Sequence, residues 1–267
     1  MCLLVLAWRS HPRFRLVVGA NRDEFHDRPA APLAPWSDIE GVVGGRDLQA
    51  NGAWFAVDAR RRLGIVTNFR EFGRRRRSAP SRGGLIPGYL AGDNAPGEYL
   101  RAIETDAPGF AGFNLLLADR GSLWYASNRA DQFARELPPG IYGLSNEFLD
   151  TPWPKLLRVR ARFDALMQST KATDLDTFDS GLFSMLADHE PAPPEALPPG
   201  DLSPEWARKL SAPFVLDSGY GTRCSTVLTI SNEGALRIAE RRFDANGAAA
   251  GQSEHVLNDT EEERWSL

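Results

Sequence analysis

The chain has 267 residues, 42% of them hydrophobic and 25% charged, with a formal net charge of −4. This is ordinary globular composition with ample material for a core, and the mild acidity argues against nucleic acid as the main partner. No apolar run approaches the ~20 residues needed to span a bilayer, and two cysteines, Cys2 and Cys224, imply no disulfide framework.

In chain order, Cys2–Trp8 and Phe14–Ala20 read as a hairpin of short apolar strands around the turn-like cluster 9–13. The opening run is too short for a signal peptide, lacks a basic leader and is stopped by Arg9, so a cytoplasmic protein is expected. Cys2, Leu4, Leu6 and Trp8 share one face of the first strand, with Leu3, Val5 and Ala7 on the other. Both faces are apolar, which predicts a strand sandwiched between layers. Pro29, Pro32 and Pro35 recur every third residue and predict an extended polyproline-II segment. Further strands are expected at Ala53–Asp58, Gly64–Asn68, Asn114–Asp119, Leu123–Ser127, Ile141–Ser145, Ser225–Ile230 and Leu236–Phe243. Helices are expected at Gly84–Ala91, Gly97–Glu104, Pro154–Gln168 (Arg and Lys on its polar face) and Asp174–Asp188, where Asp174 is the expected N-cap. A Pro-rich loop, Glu190–Pro204, follows. Strands, then helices, then strands, without regular alternation, predict one α+β domain over residues 1–267.

Cys2 is the first candidate for chemistry. Removal of Met1, usual before a small side chain, places a thiol and a free α-amino group on one residue. That amine titrates at about 8, so near neutral pH it can take the thiol proton. This nucleophile–base pair is the chemistry of N-terminal nucleophile hydrolases. Asn21-Arg22-Asp23-Glu24 ends the second predicted strand, and an antiparallel hairpin brings Asn21 and Asp23 beside Cys2. A carboxylate there orients the amine and favours its charged form. A polar strand-end turn explains the same tetrad, and a small buried hydrophobe or a lipid-modified thiol explains the cysteine.

Met1-Cys2, Ala20-Asn21-Arg22-Asp23-Glu24-Phe25, Arg28-Pro29, Gly44-Gly45-Arg46-Asp47 and Thr67-Asn68-Phe69-Arg70 resemble the NRDE family, also called the Transport and Golgi organisation protein 2 family. In motif order the chain is also similar to the cysteine N-terminal nucleophile amidases of the penicillin V acylase and bile salt hydrolase group. That second resemblance implies a four-layer αββα sandwich of two mainly antiparallel sheets. It also implies Cys2 as nucleophile beside Asp23, with Asn68 and Asn146 stabilising the oxyanion. It places Arg223, in Thr222-Arg223-Cys224-Ser225-Thr226-Val227, at the nucleophile. The chain departs from that group at Ala20, where those enzymes carry Arg, with Arg22 two positions on. Turn roles for Asn68 and Asn146 and a surface role for Arg223 stay open.

The substrate-binding candidates are Asn21, Arg22, Trp54, Phe69 and Arg70. Trp54 and Phe69 either wall an apolar pocket or pack in the core. Arg74-Arg75-Arg76-Arg77, with Arg70 and Arg82 nearby, reads as a solvated loop before a site for an anionic head group. Cys224 is expected to point away from Arg223 and to be structural. His11, His26, His189 and His255 are scattered without ligand spacing, so no metal site or cofactor is expected. The leading expectation is hydrolysis or acyl transfer at a non-peptide amide or thioester carbonyl of a small molecule. The alternative, which the NRDE resemblance implies, is a non-catalytic carrier or chaperone of a hydrophobic or haem-like ligand using the same pocket, in either case without stable membrane insertion.

Overall fold

The computed structural model describes residues 2–71, 80–169, 175–197, 200 and 202–258. The Arg74–Arg77 run and Asp174 lie outside the described residues. Two antiparallel sheets form the centre. The first runs β10 (Gly140–Leu144), β1 (Cys2–Trp8), β2 (Phe14–Phe25), β11 (Tyr220–Ser231), β12 (Leu236–Phe243), β13 (Ala249–Leu257). The second takes its strands in chain order: β3 (Ala30–Pro35), β4 (Val42–Asp47), β5 (Phe55–Asp58), β6 (Leu63–Asn68), β7 (Phe113–Ala118), β8 (Leu123–Ser127) and β9 (Ala134–Glu136).

The period-two alternation of β1 explains the layering. Leu4, Leu6 and Trp8 pack between the sheets against Leu63, Ile65 and Leu116. Leu3, Val5 and Ala7 pack on the other face, against Leu156, Val159 and Phe163 of α3 (Pro154–Met167) and Leu182 and Leu186 of α4 (Leu175–Leu186). On the far side, Ile86 and Tyr89 of α1 (Leu85–Ala91) and Leu100 of α2 (Pro96–Ile103) cover Leu115 and Leu117 of β7. The result is helix, sheet, sheet, helix, the expected α+β sandwich. Each fully buried Leu contributes about 1.5–3 kcal/mol, so the doubly apolar β1 ties two of the three interlayer cores together. Among the described residues no helix is long and apolar enough to cross a membrane.

Several elements differ from expectation. β2 runs past the expected Ala20 to Phe25, so Asn21–Glu24 belongs to the strand it ends. The segment expected as polyproline II is instead the edge strand β3, paired only with β4 and interrupted between Ala31 and Ala34. Prolines lack the ladder donor and are tolerated at an edge. Leu33 N–H turns away to donate to Glu240 Oε1 at 3.0 Å. β4, β9 and β13 are strands the sequence did not declare. So is helix α5 (Pro204–Leu210), although Ser203 caps it by accepting from Trp206 N–H and Pro204 stands in its first turn.

Asn21 joins β2 to the helical layer. Its Nδ2 donates to the carbonyls of Leu186 (2.9 Å) and Pro213 (3.0 Å), and its Oδ1 accepts from Ser225 Oγ at 2.6 Å. With only 1% of its surface exposed, this amide is fully committed to structure. Asn21→Ala strands two buried carbonyls and a hydroxyl and is expected to cost about 3 kcal/mol. That corresponds to a fall in Tm of roughly 5–12 °C, measured by thermal denaturation. A Tm within 1 °C of wild type would refute the structural assignment.

Candidate active site

The register of β1 against β2 pairs Cys2 with Arg22, and β11 adds Cys224 opposite Arg22. Cross-strand partners share a face, so Cys2, Arg22 and Cys224 all lie on the side of the second sheet. Arg22 is buried, with its guanidinium carbon 4.2 Å above the Trp54 ring and its Nη2 3.5 Å from Asp47 Oδ2. Asp47 is itself fixed: Oδ2 accepts from Arg28 Nε at 2.7 Å, and Oδ1 accepts from the amides of Gln49 and Ala50. A stacked, ion-paired guanidinium is thereby held beside the thiol.

Asp23 projects from the other face of β2. Its Oδ1 accepts from Thr222 Oγ1 at 2.7 Å, and its Oδ2 lies 3.9 Å from Nζ of the buried Lys155. Burial pushes the Asp23 carboxyl up, while Lys155 and the Thr222 hydroxyl hold it down. Burial likewise pushes Lys155 down, opposed by Asp23 and Cys2. The half-buried Cys2 thiol is pushed above its ordinary value, first by desolvation and then by the Asp23 carboxylate. Arg22 and the Asp23 backbone amide act in the opposite direction. The thiol is therefore mostly protonated near neutral pH and needs a base to become nucleophilic.

Cys2, Arg22, Asp23, Trp54, Asn68, Phe69, Arg70 and Asn146 all line one open cleft of ≈ 860 Å³. Asn68 is exposed at the end of β6, while Asn146 is buried and donates through Nδ2 to the Asn68 carbonyl at 3.0 Å. Ser145 Oγ donates to the Cys2 carbonyl at 3.2 Å, so the loop after β10 is tied to the nucleophile strand. Arg70 N–H donates to the Asn146 carbonyl at 2.7 Å, and Phe69 packs on Phe148 with ring centroids 4.9 Å apart.

Two expected site residues stand elsewhere. Asn21 is absorbed in the interlayer bonds described above and does not line the cleft. Arg223 does not line it either. It is the extra residue where the β11 register shifts between Thr222 and Cys224, and its Nη1 donates to the carbonyls of Phe25 (2.8 Å) and Arg28 (3.0 Å). A bulge re-aims its side chain, and Arg22 supplies the cation beside Cys2 instead. Cys224, brought by the same bulge to the Arg22 face, is buried and pushed well above its ordinary value by desolvation and by Glu240. Lys155 is the residue sequence reasoning missed. Helical period assigns it to the polar face of α3, yet it is buried in the first turn, and its place after Trp153-Pro154 at the helix start is the available signal.

Comparisons with known proteins agree with this architecture. The chain resembles two solved structures at the level of fold. One is the mutant C2A conjugated bile acid hydrolase from Clostridium perfringens (TM-score 0.52, 8% identity, 98% of this chain and 94% of that chain). The other is penicillin V acylase from Agrobacterium tumefaciens (TM-score 0.50, 10% identity, 97% of this chain and 87% of that chain). The Transport and Golgi organization 2 homolog of Mus musculus is 30% identical over 257 residues, spanning 90% of this chain and 92% of the relative. The model of the family described as Transport and Golgi organisation 2 matches residues 1–245, and the chain belongs to that family.

Proposed function

We propose that the protein is a hydrolase or acyl transferase acting on a non-peptide amide or thioester carbonyl, with Cys2 as nucleophile once Met1 is removed. The observation that carries this reading is the register that sets the Cys2 thiol beside the Arg22 guanidinium and the Asp23 backbone amide, with Asn68 of β6 lining the same cleft. In this reading the freed α-amino group takes the thiol proton, and the Cys2 sulfur attacks the carbonyl carbon. Asp23, buried beside the amine, orients it. The Asn68 amide donates to the oxyanion, where a single donor is worth about 3 kcal/mol. The tetrahedral intermediate collapses to an acyl-thioester on Cys2 as the α-ammonium returns its proton to the departing amine or thiol. Water or an acceptor nucleophile then resolves the acyl-enzyme. Asn146, whose amide already donates to the Asn68 carbonyl, acts by positioning Asn68.

A second reading, carriage of a hydrophobic or haem-like ligand without turnover, draws support from the Trp54, Val66 and Phe69 walls of the same cleft. Acylation separates the two. Protein lacking Met1, checked by intact mass, is expected to be labelled at Cys2 by an electrophilic amide probe. Met1-retaining protein is expected to label at least about 10²-fold more slowly, because the amide nitrogen of a retained peptide bond cannot act as a base. Cys2→Ala abolishes labelling. A Cys2 no more reactive than Cys224 in processed protein, with ligand binding intact in Cys2→Ala, would establish the carrier instead.

The electrostatics generate a further expectation. Arg22→Met removes the cation that lowers the thiol pKa, so the pH–rate profile for alkylation of Cys2 should shift to higher pH. The rate is expected to fall roughly tenfold at pH 7 and recover as pH rises. An unchanged profile would show that Arg22 does not act on the thiol.

A further inference from the structure

Arg82 lines the main cleft together with Cys2, Arg22, Arg28 and Arg70. It opens a short 3₁₀ turn, Arg82–Gly84, whose place is fixed by backbone contacts. Ser81 Oγ accepts from Gly83 N–H at 3.2 Å, and the Gly83 carbonyl accepts from Ala53 N–H at 3.1 Å. Gly52 lies so close that a Cβ there would fall 2.4 Å from Gly83 Cα and displace the turn. The other end of the side chain is anchored too: Arg82 Nη1 donates to the Gly112 carbonyl at 2.7 Å, an oxygen that also accepts from Phe69 N–H. The remaining guanidinium N–H groups have no partner among the described residues. Arg82 is half-buried, and none of its nitrogens is both buried and unbonded, so these donors stay open to the cleft.

The other cations of the cleft each have an opposite charge at hand. Asp47 Oδ2 meets Arg22 at 3.5 Å and Arg28 at 2.7 Å, and Glu24 Oε2 lies 3.9 Å from Arg28 Nε. Glu147 acts on Arg70 electrostatically. Glu71 and Glu24 act on Arg82 at longer range, but among the described residues neither forms an ion pair with it. Glu71 is already occupied, Oε1 by Arg129 Nε at 2.8 Å and Oε2 by Gly112 N–H at 3.0 Å. Glu24 Oε1 accepts from Phe25 N–H at 3.0 Å. The adjoining segment 72–79 contains no acidic residue. Arg22, Arg28 and Arg82 therefore face Asp47 and Glu24, three positive charges against two negative. Burial, and then the like charge of Arg28, push the Arg82 guanidinium down, and a bound anion relieves both effects.

We propose that Arg82 determines the specificity of the cleft by holding, beside Arg28, a carboxylate carried by the molecule that Cys2 attacks. Calling that molecule a substrate rests on the hydrolase reading; the capture of a carboxylate does not. The planar group accepts from the open N–H groups of the Arg82 fork. One uncompensated positive charge matches a monoanion better than a phosphate dianion. Cys2 and Arg82 line the same cleft and act on one another electrostatically, so the acid and the scissile carbonyl fit within one small molecule. The cleft selects acyl compounds that bear an acid over their neutral amides.

The test is calorimetric titration of the full chain carrying Cys2→Ala with N-hexanoyl-β-alanine and with its neutral counterpart, N-hexanoyl-β-alaninamide. The acid is expected to bind about tenfold more tightly than the amide, the effect of one charge-assisted bidentate contact. Adding Arg82→Met should bring the acid to the affinity of the amide and leave the amide within about twofold of its former value. If that chain fails to fold, Gly52→Ala, which keeps the charge but displaces the turn, should remove the same preference. Raising the ionic strength, which needs no further substitution, should weaken the acid alone. Equal affinity for acid and amide refutes the subsite, as does an acid preference that survives the Arg82 or Gly52 variant. Absence of saturable binding by either ligand at millimolar concentration refutes it too. Tighter binding of N-hexanoyl-2-aminoethyl phosphate overturns the carboxylate assignment. Binding is read in a chain without the nucleophile, so failure of Cys2 acylation with the acid preference intact defeats the hydrolase reading alone.

Discussion

The antiparallel register between β1 and β2 is the constraint on which the rest of the site depends. Side chains alternate with a period of two, so pairing Cys2 with Arg22 fixes the thiol on the face between the sheets, and Asp23 on the helical face. A slip of one residue would turn Leu4, Leu6 and Trp8 toward the helices and move the thiol away from Arg22. The apolar rows on both faces of β1 oppose that slip, since every residue from Leu3 to Trp8 is almost fully buried. β10 on one side and β2 on the other lock the strand from both edges. Stability of the sandwich and alignment of the candidate nucleophile are therefore one packing problem.

The site draws its charges from two faces of the same sheet, and each face supports them differently. Between the sheets, Arg22 is stacked on Trp54 and paired with Asp47, which is in turn held by Arg28 and two backbone amides. On the helical face, Asp23 has Thr222 and Lys155, both contributed by other elements. Isolated buried charges are costly, and these are tolerated because each is met by a hydrogen bond or an opposite charge. Only at the strand end, where the sheet opens into the cleft, do the two sets act on one sulfur. The place of Ala20 in the inter-sheet core agrees with this division. A guanidinium there would sit among Leu4, Trp54 and other apolar groups, while two residues later it reaches Asp47.

The likeness to the acylase and bile acid hydrolase structures is one of fold, and a fold hosts many functions. What argues for chemistry is the local arrangement. Within that fold, the Asp47 carboxylate organises Arg22 and Arg28, and the sandwich supplies the strand end on which Cys2 stands.

Much was legible in the sequence where local rules dominate. The alternation of β1, the amphipathic periods of α3 and α4, and the order of strands and helices follow from side-chain spacing along one segment. The nearness of Cys2 and Asp23 at the strand end follows from hairpin geometry, and Asn68 lines the same cleft. The remainder depended on contacts between distant segments. The edge pairing of β3 needed β4 beside it, because a proline-rich run takes an extended form in either setting. A bulge opposite β2 decided that Arg223 turns to backbone carbonyls and Arg22 serves the thiol, and no single strand encodes the register of its neighbour. Lys155 reads as a solvent-facing cation by helical period alone. Only the docking of α3 on the first sheet buries it against Asp23, since burial is a property of the layer that covers a residue. The sequence by itself determined which faces are apolar and which residues carry reactive groups. The tertiary structure decided which of those groups meet, because register shifts and layer docking act over separations that periodicity does not span.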